Sequence, residues 1–172
     1  NKVSLDGEDT LYVNGDSIVA AKVSGKKLEQ LKHSLLDLYT LSDFDDLIKK
    51  ETDVKIINYP WDLIRYNGEQ IISDFKLLTK NVKEKINGKI YDGAFLVNRE
   101  NIFIGEGSKI KPGAVLDADE GPIYIGKNVT IFPNATIEGP AFVGDSSNIK
   151  IGAKIYENTS IGEVCKVGGE VE

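Results

Sequence analysis

The chain contains no methionine, and it has one cysteine, one histidine and one tryptophan: Cys165, His33 and Trp61. A single cysteine excludes an internal disulfide and a paired-cysteine metal cage, and it suits a reducing compartment. Positive charge is also scarce. The 21 lysines and arginines stand against 27 acidic residues, a net charge of −6, which argues against a nucleic-acid partner because a phosphate backbone demands a clustered positive field. No apolar run approaches the roughly 20 residues that cross a bilayer, and no charged-then-apolar leader opens the chain. A soluble, cytoplasmic protein with no membrane partner is expected. The P-loop and GxSxG signatures are missing as well. With Asn1 at the start and methionine nowhere, the chain is expected to be an internal piece of a longer gene product.

What the sequence does hold is a beat of six. Ile125, Ile131, Ile137, Val143, Ile149, Ile155, Ile161 and Val167 follow one another at six-residue intervals, and Ile104, Ile110 and Leu116 keep the same interval upstream. The segment DADEGP carries a three-residue insertion before the count resumes. Four residues after each anchor sits a mostly small residue: Ser108, Ala114, Val129, Ala135, Ala141, Ser147, Ala153, Thr159, Cys165. Turn formers such as Pro112-Gly113, Pro133-Asn134 and Gly139-Pro140 lie between. A helical period of 3.6 cannot produce this spacing, and hairpin sheets need longer alternation. A chain that bends after every short strand, three strands to a coil, accounts for it, with the aliphatic residue at the coil centre and the small one near the corner. That arrangement is a parallel β-helix.

Three hexads per coil stack residues 18 apart, apart from the insertion, on one face. The first face carries Phe103, Tyr124, Phe142 and Ser160 before its anchors, with glycine after each anchor. The second is basic, with Lys109, Lys111, Lys150 and Lys166 flanking its anchors. The third, with Asp117, Glu138, Lys154 and Tyr156, is mixed. Residues flanking an inward anchor point outward, so Phe103, Tyr124 and Phe142 form an outward aromatic ladder. Monomers seldom leave such a patch in water, so packing cover is expected from the preceding helix or from a neighbouring subunit.

Before the coils the pattern changes. LYVNGDSIVAAKV alternates around Asn14-Gly15, a hairpin signal. KKLEQLKHSLLDLY places Leu28, Leu31, Leu35 and Leu38 on one helical stripe. SDFDDLIKKE opens with Ser42 as an expected N-cap and Asp45 three residues on, and VKIINY reads as a short strand. From Pro60 a helix is expected, with Trp61, Ile64, Ile71, Phe75, Leu78 and Val82 at helical spacing and Gly68 as an interruption. The fold class that results is mainly β. Residues 1–58 are a small α+β portion, 59–99 a helical connector and 100–172 the β-helix, with a packed junction.

Few residues can carry chemistry. His33 on a leucine-striped helix reads as a surface or structural residue, and a β-helical carbonic anhydrase is excluded because it needs three histidines on zinc. Asp16 either binds a divalent metal beside a phosphate or is a turn residue. Asp117, Asp119 and Glu120 either hold an ion or form a solvated turn. Lys109, Lys111, Lys150 and Lys166 either hold the phosphates of a coenzyme or sugar phosphate or form a solvated face. Cys165 fills a small inward slot and reads as packing. No catalytic residue is assigned.

Hexads that open on an aliphatic-glycine pair, IGKNVT, VGDSSN and IGEVCK, resemble the hexapeptide-repeat transferases, whose coils form a left-handed parallel β-helix. YPWDLIRYNGEQI, followed by a connector and then IKPGAVLDADEGPIYIG and IEGPAFVGDSSNIKIGAKIYENTSIGEVCKVGGEVE, is similar to a bacterial family of sugar-1-phosphate nucleotidyltransferases. That family is related to the bifunctional N-acetylglucosamine-1-phosphate uridyltransferase and glucosamine-1-phosphate acetyltransferase. The resemblance covers residues 55–172 well and the first 50 more loosely. It implies that residues 1–58 are the C-terminal remnant of a nucleotidyltransferase-like α/β domain. It also implies that the full-length protein joins a sugar phosphate to a nucleoside triphosphate with Mg2+, that acetyl-CoA is a cofactor if the β-helix transfers acetyl groups, and that the assembly is a homotrimer. Two features depart from the family: its glycine-rich nucleotide loop with arginine is missing, and no histidine lies in the coils to serve as a general base. The piece by itself is therefore expected to be inactive. A β-helix that serves only as a trimerisation or regulatory scaffold is the alternative, and a stand-alone acyltransferase is a third reading, weakened by the missing base.

Overall fold

A computed structural model describes residue 3 and residues 6–32 and 38–169, and the chain divides into two units, Asn1–Ile57 and Asn58–Glu172.

In the first unit, strand β1 (Thr10–Asn14) turns back into β2 (Ser17–Lys22), antiparallel, through Gly15 and Asp16. The turn is centred one residue later than the Asn14-Gly15 signal, because Gly15 takes the left-handed backbone the turn needs (φ +58). Helix α1 (Gly25–Lys32) follows; His33 and Leu35 lie outside the described residues, and Leu38 is exposed. Thr40, not Ser42, precedes a short 3-10 turn over Leu41–Phe44. The Asp43 carboxylate accepts the Thr40 backbone N–H at 2.7 Å and its hydroxyl at 3.0 Å, which moves the cap upstream. Strand β3 (Ile48–Glu51) pairs parallel with β1, giving the order β2-β1-β3. The strand expected in VKIINY is thus displaced towards the N-terminus. Thr52 N–H still donates to Val13 O, but the Val54 carbonyl is taken by the Asn14 side chain at 2.6 Å and the chain leaves the sheet. Leu11, Val13 and Phe44 form the core of this unit.

The second unit opens on helix α2 (Pro60–Thr79). Asp62 starts it by accepting the N–H groups of Asn58 and Tyr59, both at 3.0 Å, while Pro60 supplies a first-turn φ at no hydrogen-bond cost. Gly68 does not interrupt the helix. It belongs to the buried stripe Gly68, Ile71, Phe75 and Thr79, whereas Trp61, Ile64 and Leu78 of the expected stripe are exposed. The inward face is set by the close approach that Gly68 alone permits, since a Cβ there would collide with the Asn158 side chain.

The remaining chain winds as a parallel β-helix whose three faces are four- and five-stranded parallel sheets. Ile104, Ile125, Val143 and Ile161 stack in register, as do Leu96, Leu116, Ile137 and Ile155, and Ile90, Ile110, Ile131, Ile149 and Val167. The anchors from Ile104 to Ile149 are fully buried, so the axis is a continuous aliphatic rod. Buried serines sit at one corner. Ser108 Oγ donates to Gly126 O (2.7 Å) and accepts from Val129 N–H (2.9 Å), and Ser147 makes the same pair of bonds to Gly162 O and Cys165 N–H. Coiling begins upstream of residue 100: Ile86 bridges Ile104, and Lys89–Ile90 and Phe95–Val97 are already rungs. A 3-10 turn at Arg99–Asn101 lengthens the step from Leu96 to Ile104, which hides the first turn from a strict six-residue count.

Candidate functional site

The basic face holds two outward columns. Lys89, Lys109, Thr130, Asn148 and Lys166 precede the anchors in register. Tyr91, Lys111, Phe132 and Lys150 follow the anchors, each donating its backbone N–H to the anchor one rung on (2.7 to 3.0 Å). The four lysines singled out in the sequence do share this face, but they fall into two groups. Lys109 and Lys111 sit at one end. Lys166 lies three rungs from Lys109, on the order of 14 Å at one strand spacing per rung, and Lys150 packs its Nζ 5.0 Å from the Phe132 ring centroid.

Two members of the first group were missed because they lie upstream of residue 100: Lys89 and Tyr91. Their signal was the six-residue step from Ile90 to Leu96. Lys111 Nζ stands 4.2 Å and Lys89 Nζ 4.6 Å from the Tyr91 ring centroid. The Tyr91 phenol is held below the ordinary tyrosine value, first by its hydrogen bond with Lys111; burial opposes the lowering, and the fields of Lys111, Lys89 and Lys109, each weaker than burial, add to it. Among the described residues none of these lysines is ion-paired with a carboxylate.

On the first face, Phe103 and Tyr124 stack at 4.5 Å and Tyr124 and Phe142 at 5.3 Å. The ladder ends at Ser160, register partner of Phe142. The three rings are half-buried, and α2 runs along this face. Asn67 holds the helix to the coil: its Nδ2 donates to Asn158 O (2.7 Å), and its Oδ1 accepts from Ser160 Oγ (2.9 Å). Between helix and ladder lies a cavity of about 460 Å³ walled by Ile71, Phe75, Leu77, Leu78, Tyr124 and Phe142. Burial, and then the nearby Asp145 carboxylate, push the Tyr124 phenol up.

Asp117, Asp119, Glu120, Glu138 and Glu157 surround a cavity of about 520 Å³ beside the inserted loop. Asp119 N–H donates to Asp117 Oδ1 at 3.1 Å, an ordinary turn contact. Asp16 is exposed on the β1–β2 turn. Among the described residues no three acidic, histidine or cysteine side chains converge as a metal site. Cys165 is half-buried against the β-helix core, and its backbone N–H is taken by Ser147.

The fold is that of a parallel β-helix built on hexapeptide repeats and flanked by one long helix. Residues 2–83 match the family model described as sugar nucleotidyl transferase, which supports a transferase-type chain at a coarse level. No curated protein matches. Among solved structures, the acetyltransferase domain of PglB from Neisseria gonorrhoeae FA1090 is 17% identical, covering 95% of this chain and 74% of that one at a TM-score of 0.33. The same domain in complex with acetyl coenzyme A is 13% identical, covering 95% and 94%, at a TM-score of 0.18. Among the described residues no helix is long and apolar enough to cross a membrane.

Proposed function

We propose that the chain is part of a sugar-1-phosphate nucleotidyltransferase of the UDP-N-acetylglucosamine-forming type, working in the cytoplasm. The observation that carries this reading is the match of residues 2–83 to the sugar nucleotidyl transferase model. In such a reaction a sugar-phosphate oxygen attacks the α-phosphorus of a nucleoside triphosphate, a new P–O bond forms and pyrophosphate leaves. Catalysis is then largely positioning and charge neutralisation. On this reading the first unit closes the nucleotidyltransferase domain, and the β-helix joins three copies into a homotrimer. The test is pyrophosphate release by the full-length protein with N-acetylglucosamine 1-phosphate and UTP, extended to other sugar phosphates and nucleotides. Release supports the reading, and silence with every pair overturns it.

A second reading, a non-catalytic scaffold role for the coil, is favoured by one observation: the only histidine is His33, so the coil offers no imidazole as general base for acetyl transfer. Transfer of acetyl from acetyl-CoA to a sugar amine by the full-length protein would overturn it.

A further inference from the structure

We propose that Lys89, Lys109 and Lys111, gathered around Tyr91 at one end of the basic face, form an anion site that holds the phosphate or pyrophosphate group of a small molecule. The site lies outside the residues matched by the nucleotidyltransferase model, so it stands apart from the catalytic reading above.

The β-helix itself builds the cluster. Lys89 and Lys109 are register partners on adjacent rungs, about 4.8 Å apart along the axis, and Tyr91 and Lys111 lie two residues further along those same strands, about 6.7 Å away. Ile90 and Ile110 between them point into the core and fix the four outward positions. A patch of this size lets three flexible ammoniums converge on one tetrahedral oxyanion. Like charges facing each other on neighbouring strands repel, yet among the described residues no carboxylate pairs with any of the three, in a chain with a surplus of acid. The Tyr91 ring is the neutral group among them, 4.6 Å from Lys89 Nζ and 4.2 Å from Lys111 Nζ; its phenol is lowered first by the hydrogen bond with Lys111, and the fields of Lys111, Lys89 and Lys109 add to that lowering. An anion placed there removes the repulsion and gains charge-assisted hydrogen bonds.

The extent of the patch argues for a small ligand. The next rung presents Thr130 and Phe132 and the one after it Asn148 and Lys150, so the dense positive charge spans two rungs. A nucleic-acid backbone or an anionic membrane requires a longer basic track.

Inorganic pyrophosphate is the probe, titrated at low ionic strength into the whole chain and followed by calorimetry and by amide and tyrosine-ring NMR. Saturable binding is expected, with shifts confined to residues 89–91 and 109–111. The double variant Lys89→Gln/Lys109→Gln should weaken binding at least tenfold, and Lys150→Gln should leave it unchanged. Bound pyrophosphate should also move the Tyr91 titration to higher pH, with Tyr91→Phe identifying the signal. Equal binding by the double variant and Lys150→Gln, absence of saturation, or shifts elsewhere in the wild-type protein would each overturn the proposal. So would a concentration-dependent loss of mass in the double variant, seen by light scattering while pyrophosphate binds neither form, because the face would then receive a second copy of the chain. The wild-type shift map decides the matter even if the double variant fails to fold.

Discussion

Gly68 of α2 lies so close to Asn158 of the coil that a Cβ on Gly68 would run into the Asn158 carboxamide. The contact explains why a glycine stands in the middle of a 20-residue helix, where it costs about 1 kcal/mol relative to alanine.

Gly68→Ala should therefore forgo most of the roughly 1 kcal/mol that alanine brings to a helix interior, because the exposed Asn158 side chain must swing aside to admit the Cβ. In an Asn158→Gly background, where the collision is gone and the left-handed backbone of residue 158 (φ +60) is relieved, the same change should be more stabilising. Thermal melts of the four proteins in this cycle check it, and equal effects in both backgrounds would contradict the contact.

Val164 occupies a left-handed corner (φ 57) that Gly107, Asn128 and Ser146 occupy on earlier rungs, and its side chain is exposed. A β-branched residue is strained there. Val164→Asn should raise stability by about 1 kcal/mol, read as a higher denaturant midpoint at unchanged slope.

Ile131 is fully buried between Ile110 and Ile149. Ile131→Ala should cost about 2–5 kcal/mol. Val167→Ala, at a half-buried position in the last described rung of that column, should cost clearly less. Chemical denaturation of the two variants gives the comparison, and equal losses would contradict the graded burial of the rod.

The Tyr91 phenol should titrate below an ordinary tyrosine, and Lys111→Gln should move it back up, because its hydrogen bond with Lys111 is the first cause of the shift. The folded chain releases this proton before the unfolded chain does, so between the two midpoints this group makes stability rise with pH and adds nothing below them. Ultraviolet difference titration of wild type, Lys111→Gln and Tyr91→Phe separates this signal from the other tyrosines.

The coil was legible because its structural rule is one-dimensional: a buried aliphatic every sixth residue fixes which residues share a face, so the columns containing Phe103 and Lys109 could be listed from spacing. What spacing could not carry was any step of different length. The longer step from Leu96 to Ile104 concealed the first turn, and with it Lys89 and Tyr91. In α2, periodicity offered several apolar stripes, and the choice fell to the contact at Gly68, a three-dimensional fact. In the first unit, the Asn14 side chain captured the Val54 carbonyl and ended β3 earlier than propensity suggested. The candidate site was legible as a basic face, while its concentration at one end depended on the hidden turn.

The hydroxyls of Ser108 and Ser147 have a consequence for assembly of the coil. Each accepts a hydrogen bond from an amide of the following turn, buried at Val129 and half-buried at Cys165, and donates its own to a carbonyl there, whereas the corresponding small positions one hexad on are Ala114 and Ala153. A turn that docked one hexad out of phase would bring alanine to those amides and strand them without an acceptor, at about 1–3 kcal/mol each. Repetitive modules are prone to mis-stacking, and these two alcohols act as keyed notches that admit successive turns in a single alignment.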